Sequence, residues 1–278
     1  MDYSIIKYPR TQHLQGSRIQ PGDEDLSQIP FASILGRAIV VEEKFDGANT
    51  AVSFDDAGTL LLQSRGHYLR GGGRERHYEL FKRWGAAQQA ILHDVLGDRY
   101  VMYGEWLYAK HAVFYDALPH YFLEFDVYDR EKNVFLDTDR RRALLDGAPI
   151  VPARILAQGR VFKSADEIIE LLADSTSISS NNRVNLQIAC ERADVEPEPV
   201  LEETDPSRQM EGLYIKVEEN GEVVERMKFV RSSFYQAAAS SSADSTAQWL
   251  AKPIVANQLR IPFDAIFDST LPSNATFD

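Results

Sequence analysis

The chain has 278 residues, of which 44% are hydrophobic, and its formal net charge at pH 7 is −12. The acidic balance argues against a protein that coats nucleic acid by charge alone, and no apolar run reaches the roughly 18 residues that a bilayer-spanning helix needs. Cys190 is the one cysteine, so an internal disulfide is excluded, and its side chain is expected to be buried. A single cysteine and the lack of a signal-peptide pattern together favour a cytoplasmic protein.

Segments rich in aromatic and β-branched residues are expected to be strands. Asp55-Asp56-Ala57-Gly58 suits the turn of one hairpin, and Asn220-Gly221, the strongest short-range hairpin cue, predicts another. Arg130 to Asn133 is a further turn. In chain order the expected strands are 39–41, 52–54, 59–63, 100–107, 121–128, 134–136, 212–219 and 222–230.

Helices are expected between these hairpins. Ser164-Ala165-Asp166-Glu167 is a capping box, which opens a helix. The expected helices are 75–95, 164–173 and 249–259, the expected loops are 71–73 and 175–182, and an irregular connector is expected around Pro197, Pro199 and Pro206. Because strands dominate and do not alternate regularly with helices, the sequence predicts an α+β fold with antiparallel sheets.

Reactive and phosphate-binding residue types recur next to these strands. Glu43-Lys44-Phe45-Asp46-Gly47-Ala48-Asn49 directly follows the apolar run 39–41. A lysine at the end of a buried strand is costly unless it has a function, and a desolvated lysine flanked by cations can act as a nucleophile. The later motifs are Ser64-Arg65-Gly66, Tyr103-Gly104-Glu105, Phe125-Asp126, Glu211-Gly212 and Arg226-Met227-Lys228.

In this order the motifs resemble the series of the covalent nucleotidyltransferases, which comprise polynucleotide ligases and mRNA capping enzymes. The resemblance runs from about Val40 to Arg231. It implies two antiparallel β-sheets flanked by helices, with a nucleotide in the cleft between them. Residues 1–235 would form this domain and 236–278 a short C-terminal extension, which is too small for the OB-fold domain of DNA ligases and capping enzymes.

The resemblance also implies a role for each motif residue. Lys44 would attack the α-phosphorus of ATP and form lysyl-AMP. Lys228 and Arg226 share one face of a strand. From that face Lys228 would contact the α-phosphate and lower the pKa of Lys44. Glu211 would help to hold Mg²⁺, for which Mn²⁺ can substitute. The implied nucleotide-binding residues are Glu43 at the adenine edge, Asp46, Asn49, Arg65 at a phosphate or ribose oxygen, Glu105 at the ribose hydroxyls, Phe125 stacked on adenine, and Lys216 as a further cation of the groove or a solvated one.

Asn49 separates the classes of relatives. DNA ligases and capping enzymes usually carry arginine at the corresponding place, whereas nick-sealing phage RNA ligases carry asparagine. Two departures are Asp46, where that phage type commonly has histidine, and Arg226, where relatives often have lysine. The expected function is an ATP-dependent RNA ligase that joins a 5′-phosphate to a 3′-hydroxyl through an adenylylated RNA end.

Other expectations concern partners and alternatives. The basic stretch 65–83 would contact the RNA backbone, whereas Arg140-Arg141-Arg142 is expected to be a solvated face. No P-loop is present, so a kinase or phosphatase that processes RNA ends would be a separate protein. The alternatives are a minimal DNA ligase, a capping guanylyltransferase, or an RNA-end binding protein that does not ligate.

Overall fold

The computed structural model describes residues 4–20, 22–234 and 253–269, apart from the side chain at position 74. The strands are β1 (Gln12–Leu14), β2 (Gln28–Ile29), β3 (Ala38–Lys44), β4 (Ala48–Phe54), β5 (Leu60–Ser64), β6 (Tyr100–Trp106), β7 (Phe122–Asp129), β8 (Val134–Phe135), β9 (Val151–Pro152), β10 (Ile155–Val161), β11 (Gly212–Glu219) and β12 (Glu222–Val230). The helices are α1 (Glu79–Ala87), α2 (Gln89–Leu96), α3 (Thr138–Leu145), α4 (Ala165–Ile169), α5 (Asn182–Arg192) and α6 (Pro197–Glu202), with 3₁₀ turns at Phe31–Ser33, Gly73–Tyr78 and Phe263–Phe267.

Two sheets carry the described part of the fold. The first has the strand order β10-β3-β11-β12-β1-β2, in which the pairs from β10 to β12 are antiparallel and β1 joins β12 and β2 in parallel. The second has the order β5-β4-β6-β7-β8 in antiparallel pairs, and β9 is parallel to β7. The predicted α+β class with largely antiparallel sheets is confirmed.

Side-chain alternation gives each sheet an apolar outer face and a more polar inner face. On β11 and β12 the outer residues are Leu213, Ile215, Val217, Met227 and Phe229, and they pack in one core with α4. The outer face of the second sheet packs against α1 and α2 in a larger core that contains the stacked rings of Phe81, Trp84 and Phe122. A smaller aromatic cluster around Tyr8 and Tyr103 lies between the sheets.

The two expected hairpins are present as β4–β5 and β11–β12, and Cys190 is buried as predicted. At Asn220-Gly221 both residues have positive φ, as the turn requires. The capping box also forms, because the Ser164 hydroxyl accepts a hydrogen bond from the amide of Glu167. The helix that follows ends at Ile169 rather than near 173.

Several helix predictions were wrong in extent or were missing. The expected helix 75–95 is a 3₁₀ turn followed by α1 and α2, which are separated at the buried Gln88. Helices α3 and α5 were not predicted, and α6 replaces the expected irregular connector, with Pro197 in its first turn, where a missing amide proton costs nothing. Residues 253–259 form no helix, and the rest of the segment expected at 249–259 lies outside the described residues.

The described segment 253–269 packs on the chain around 107–121. Its backbone bonds with Lys110, Tyr115 and Leu118, and the Asn257 side chain bonds with the backbone of Leu107 and Tyr115. This segment therefore adds to the larger core, to which it contributes the buried Ile266. Among the described helices, none combines the length and the apolar character that crossing a membrane requires.

Candidate active site between the sheets

The chain crosses from one sheet to the other directly after Lys44. Lys44 ends β3 in the first sheet and Ala48 begins β4 in the second, so three residues make the crossing. A Cβ on Gly47 would lie 2.7 Å from Leu107 Cδ2 and 2.8 Å from the Trp106 carbonyl oxygen. Packing against the end of β6 therefore requires a glycine at position 47.

Asp46 fastens the crossing to a neighbouring loop. Its carboxylate accepts hydrogen bonds from the amides of Ala112 at 2.7 Å and Val113 at 2.9 Å. Its own amide donates to the Tyr115 hydroxyl at 2.9 Å. Asp46 thus fixes the loop that carries His111 along the wall of the cleft.

A cleft of about 1040 Å³ opens between the sheets. The predicted site residues that line it are Glu43, Lys44, Asp46, Asn49, Arg65, Glu105, Phe125, Glu211 and Lys228. They come from both sheets and from positions up to 185 residues apart in the chain. The fold therefore brings most of the predicted residues to one surface.

Lys44 lies among carboxylates at the base of this cleft. Its Nζ donates a hydrogen bond to Glu211 Oε2 at 2.8 Å, and the Glu211 side chain is fully buried. Burial alone would lower the pKa of Lys44, but the carboxylates of Glu211 and Glu105 outweigh it, so the pKa is raised. The expectation of a lowered pKa at Lys44 is therefore wrong for the unliganded protein.

Lys228 is the second cation of the cleft. Its Nζ donates a hydrogen bond to the Asp23 carboxylate, and the side chain is only 11% exposed. Burial lowers the pKa of Lys228, and the nearby charge of Lys44 acts in the same direction, while Asp23 opposes both. The positive charges of the two lysines therefore repel each other in the cleft, and the pKa that falls is that of Lys228.

Two residues that line the cleft carry buried polar atoms without a hydrogen-bond partner in the described part of the chain. Among the described residues, Glu43 Oε2 and Asn49 Oδ1 accept no hydrogen bond. Burial raises the pKa of Glu43 to about 7, and a hydrogen bond from Ser175 opposes that rise. Phe125 is half-buried and also lines the cleft. The lining therefore contains two unused acceptors and an aromatic ring.

Arg226 and Lys216 lie beneath the cleft and do not appear in its lining. The guanidinium of Arg226 lies over the Phe135 ring, 4.0 Å from its centroid, and 3.8 Å from Asp126. Lys216 is 1% exposed and pairs with Glu42 at 2.9 Å and Asp126 at 3.3 Å. Arg226 does share the inner face of β12 with Lys228, as predicted, but it does not line the cleft. Lys216 is neither a cation of the cleft lining nor a solvated lysine, because it is buried in this network.

Arg141 completes that buried network, so the prediction of a solvated face is wrong for Arg141 and right for Arg140 and Arg142, which are exposed. Arg141 is 1% exposed and lies 2.6 Å from Glu42 and 3.4 Å from Glu124. Burial raises the pKa of Glu124 to about 7, whereas Arg141 lowers it. Charges from α3 and both sheets therefore meet behind the cleft, where they join the two sheets.

The sequence interpretation missed the N-terminal contribution to the cleft. Further lining residues include Tyr8, Arg10, Thr11, Gln20, Asp23, His67, Tyr78, His111 and Tyr214. The N-terminal members arrive because β1 pairs in parallel with β12, a contact between segments about 215 residues apart. No local pattern in residues 8–23 signals that pairing.

The basic stretch 65–83 lies partly at the rim of the cleft. Arg65 and Arg70 are exposed, and Arg65 lines the cleft. Lys82, by contrast, pairs with Glu75 at 2.9 Å and Glu79 at 2.6 Å. The cationic surface available at the rim is therefore smaller than the composition of the stretch indicates.

A divalent metal would have few protein ligands here. Within the described ranges, no group of three or more His, Cys, Asp or Glu side chains is arranged to hold a metal ion. Glu211 is a carboxylate in the cleft, with Oε2 on Lys44 and Oε1 accepting a hydrogen bond from Gln20 at 2.7 Å. Such a set fits Mg²⁺, which usually binds one or two carboxylates together with substrate oxygens and water.

Comparison with known proteins identifies similar sequences and folds. A family model described as RNA ligase matches residues 37–230. No curated protein matches the chain.

Solved RNA ligases have a similar fold. An archaeal ATP-dependent RNA ligase has a TM-score of 0.50 and 16% identity, over 82% of this chain and 49% of that chain. A variant of an RNA ligase from Naegleria gruberi, solved with ATP and Mn, has a TM-score of 0.46 and 17% identity, over 73% of this chain and 52% of that chain. The chain spans about half the length of these solved proteins.

Proposed function

The chain belongs to the RNA ligase family, and from that premise we propose that it is an ATP-dependent RNA ligase that acts through a lysyl-AMP intermediate on Lys44. The observation that carries the proposal is the position of Lys44. Its amine lies at the base of the inter-sheet cleft, 2.8 Å from a buried carboxylate of Glu211 and close to the second cation, Lys228. Replacing both members of such a pair with apolar side chains is often neutral or stabilising, so fold stability alone does not explain the Lys44–Glu211 pair.

The proposed reaction has three steps. The neutral amine of Lys44 attacks the α-phosphorus of ATP; an N–P bond forms, the bond from that phosphorus to the bridging oxygen of the β-phosphate breaks, and pyrophosphate leaves with that electron pair while the nitrogen releases one proton to solvent. A 5′-phosphate oxygen of the RNA then attacks the same phosphorus, the N–P bond breaks, and Lys44 regains its proton. Finally a 3′-hydroxyl attacks the activated 5′-phosphate, loses its proton, and releases AMP as the strands join.

The raised pKa of Lys44 gives Glu211 a part in the first step. In the unliganded protein the ammonium of Lys44 is paired with Glu211, so a proton must leave before attack. A bound cation at Glu211 would withdraw that carboxylate from Lys44. Binding of the nucleotide together with its metal ion would therefore activate Lys44 as the nucleophile.

The unused acceptors of the cleft lining suit the adenosine part of ATP. Glu43 Oε2 and Asn49 Oδ1 are buried acceptors without a hydrogen bond among the described residues, and an exocyclic amine or a hydroxyl would satisfy them. Phe125 offers a face for stacking, and Glu105 could accept from the ribose hydroxyls. Arg65 at the rim suits a phosphate or ribose oxygen.

Glu211 is the proposed protein ligand for Mg²⁺, with Mn²⁺ as a substitute. The ion would neutralise charge on the phosphates during transfer. Lys228 would act on the α-phosphate from the opposite strand, where a fixed cation stabilises developing charge. Phosphoryl transfer depends mainly on such positioning and charge stabilisation.

The proposed substrate is RNA with a 5′-phosphate and a 3′-hydroxyl. Exposed arginines of the stretch 65–83, such as Arg65 and Arg70, would contact its backbone. Ends of other chemistry would need a separate kinase or phosphatase. We also propose the cytoplasm as the compartment, because it keeps the lone Cys190 reduced.

Labelling the protein with α-labelled ATP and Mg²⁺, followed by a denaturing gel, tests the proposal. Wild type should carry the label, Lys44→Ala should not, and the exposed control Lys132→Ala should label like wild type. GTP in parallel distinguishes a capping enzyme, and a panel of nicked RNA, nicked DNA and hybrids identifies the strand that is sealed. Absence of label with either nucleotide, in folded wild type, would refute the enzyme and leave RNA-end binding as the explanation.

A further inference from the structure

The N-terminal segment 10–23 builds one wall of the cleft around Lys228. His13 on β1 is the register partner of Lys228 on β12, so the two side chains lie next to each other in the sheet. Asp23 follows on the same segment and accepts a hydrogen bond from Lys228 Nζ. Neither residue belongs to the motifs on which the proposed function rests.

Asp23 is anchored from several sides. Its Oδ2 lies 3.3 Å from His13 Nε2, and its Oδ1 accepts a hydrogen bond from Arg10 at 3.3 Å. The side chain of His13 is completely buried, and that of Asp23 is 15% exposed. These contacts therefore fix the orientation of the Asp23 side chain on the wall of the cleft.

The hydrogen bonds around His13 fix the direction of this anchoring. A carboxylate paired with Lys228 can only accept hydrogen bonds, so neutral His13 carries its proton on Nε2 and donates it to Asp23. Nδ1 is then an acceptor for the Ser17 hydroxyl at 2.7 Å, which also accepts from the amide of Val230 at 2.9 Å and lies 3.4 Å from the Arg18 carbonyl oxygen. A chain of hydrogen bonds thus runs from β12 through Ser17, His13 and Asp23 back to Lys228 on the same strand.

An ammonium group has three protons to donate. One is directed at Asp23, which leaves two for phosphate oxygens in the cleft. The same segment also braces Glu211, because Gln20 Nε2 donates to its Oε1 at 2.7 Å. Residues 10–23 therefore contact both charged groups that would face the phosphates.

We propose that Asp23 is a positioning residue that holds Lys228 at the α-phosphate of the nucleotide, and that His13 fixes Asp23 for this role. The inference rests on the proposed function, because it assigns Asp23 its effect through Lys228 in lysyl-AMP formation. Without Asp23 the flexible four-carbon stem of Lys228 would no longer be restricted to one orientation. The charge would remain in the cleft but would be less well placed.

The test is single-turnover lysyl-AMP formation at a series of ATP concentrations with Asp23→Asn. The maximal rate should fall about 10- to 100-fold, the range that misplacement of a catalytic group by about 1 Å can cause. The ATP concentration for half-maximal rate should change less than about threefold, because the adenosine contacts are untouched. Asp23→Glu, which restores a carboxylate, should recover part of the rate.

Asp25→Asn is the matched control. Asp25 pairs with the same Arg10 at 2.7 Å and comes two residues after Asp23, but its side chain is 68% exposed and it does not line the cleft. Its variant should label within about twofold of wild type, as surface changes usually do. A wild-type rate in Asp23→Asn would overturn the inference. So would a faster rate at low ATP, which would mean that Asp23 competes with the phosphates for Lys228.

If Asp23→Asn melts below the assay temperature, two variants of His13 test whether the hydrogen bond from His13 to Asp23 supports lysyl-AMP formation. His13→Gln places an amide nitrogen near Nε2, whereas the shorter His13→Asn reaches towards Ser17 but not Asp23. The Asn variant should be the slower of the two by at least about fivefold, and equal rates would contradict the role of His13. Unlabelled wild type would refute the proposed function itself, and the inference would fall with it.

Discussion

Arg141 and Glu42 form an ion pair of 2.6 Å in which each side chain is only 1% exposed. Arg141 lies on α3, and Glu42 lies on β3 two residues before Lys44. Lys216 approaches the other oxygen of Glu42 at 2.9 Å. The strand that presents the proposed nucleophile is thus fixed by buried charges from two other elements.

Arg141→Met should lower the free energy of unfolding by about 3–5 kcal/mol, because it leaves Glu42 and Glu124 as buried charges with fewer partners. Denaturant unfolding would measure the loss. Arg142→Met in the same helix is the control; Arg142 is exposed, so its loss should stay below about 0.5 kcal/mol. Equal losses in the two variants would mean that the buried pair does not stabilise the fold.

The close contact at Gly47 leads to a second prediction. Gly47→Ala would place a methyl group 2.8 Å from the Trp106 carbonyl oxygen, which must then move together with the crossing after Lys44. Overpacking of this kind costs about 1–3 kcal/mol. Thermal or denaturant unfolding would measure this cost.

Gly66→Ala is the matched control for that glycine. Gly66 also lies next to a residue of the cleft, Arg65, but a Cβ on it would meet no atom within 4 Å. Its unfolding free energy should change by less than about 0.5 kcal/mol. If both alanine variants were equally stable, the crossing after Lys44 would accommodate a methyl group at position 47 without the cost that the contact distances predict.

Much of this fold could be predicted from local patterns. Asn220-Gly221 and Asp55 to Gly58 specify turns chemically, so both hairpins were found, and the order of the motifs led to most of the cleft. Helix α5 left a weaker signal: its buried residues Leu186, Ala189 and Cys190 follow the spacing of one helical face within an otherwise polar segment. Helix α3 has an Asp137 cap that bonds the amide of Arg140, a start signal that was overlooked.

Contacts between strands that are far apart in the sequence could not be predicted from local patterns. Alternation along β12 predicts that Arg226 and Lys228 share a face, and the structure agrees, but neither Arg226 nor Lys216 lines the cleft. Their depth is set by Asp126 and Glu42, which come from other strands. The place of Asp23 next to Lys228 depends in the same way on the pairing of β1 with β12. The division of the chain at residue 235 stays a prediction, since 235–252 lie outside the described residues.

A third prediction concerns the pH dependence of stability at Glu43. Burial raises the pKa of this carboxyl from 4.5 to about 7, so between these values the folded state binds a proton that the unfolded chain has released. Ionisation is therefore disfavoured in the folded state, and stability falls as the pH rises from about 4.5 to 7. Glu43→Gln, which cannot ionise, should gain on the order of 2 kcal/mol over wild type at pH 8 but little at pH 4.5.

Melting of both proteins at pH 4.5 and 8 would measure this difference. Glu198→Gln is the control, because Glu198 is exposed on α6 and its substitution should change the unfolding free energy by less than about 0.5 kcal/mol at either pH. A Glu43→Gln variant that gains nothing at pH 8 would show that the Ser175 hydrogen bond and the ion pair with Arg154, 3.9 Å from Glu43 Oε2, compensate fully for the buried charge.

The last prediction separates stability from activity at Asn49. Its Oδ1 is buried without a hydrogen bond among the described residues, and an unsatisfied buried acceptor costs about 1–3 kcal/mol. Asn49→Ala removes that cost together with some packing, so the unliganded protein should lose no more than about 0.5 kcal/mol. Lysyl-AMP formation should nevertheless fall about tenfold or more, because a donor on the nucleotide loses its acceptor.

Thr50 provides the opposite case one residue along β4. Its buried hydroxyl donates to the Gly104 carbonyl at 2.9 Å, and it does not line the cleft. Thr50→Val should therefore cost about 1 kcal/mol of stability and keep the labelling rate of wild type. Parallel unfolding and labelling of the two variants gives the answer. Loss of stability without loss of labelling in Asn49→Ala would mean that Asn49 serves the fold of β4 and not the nucleotide.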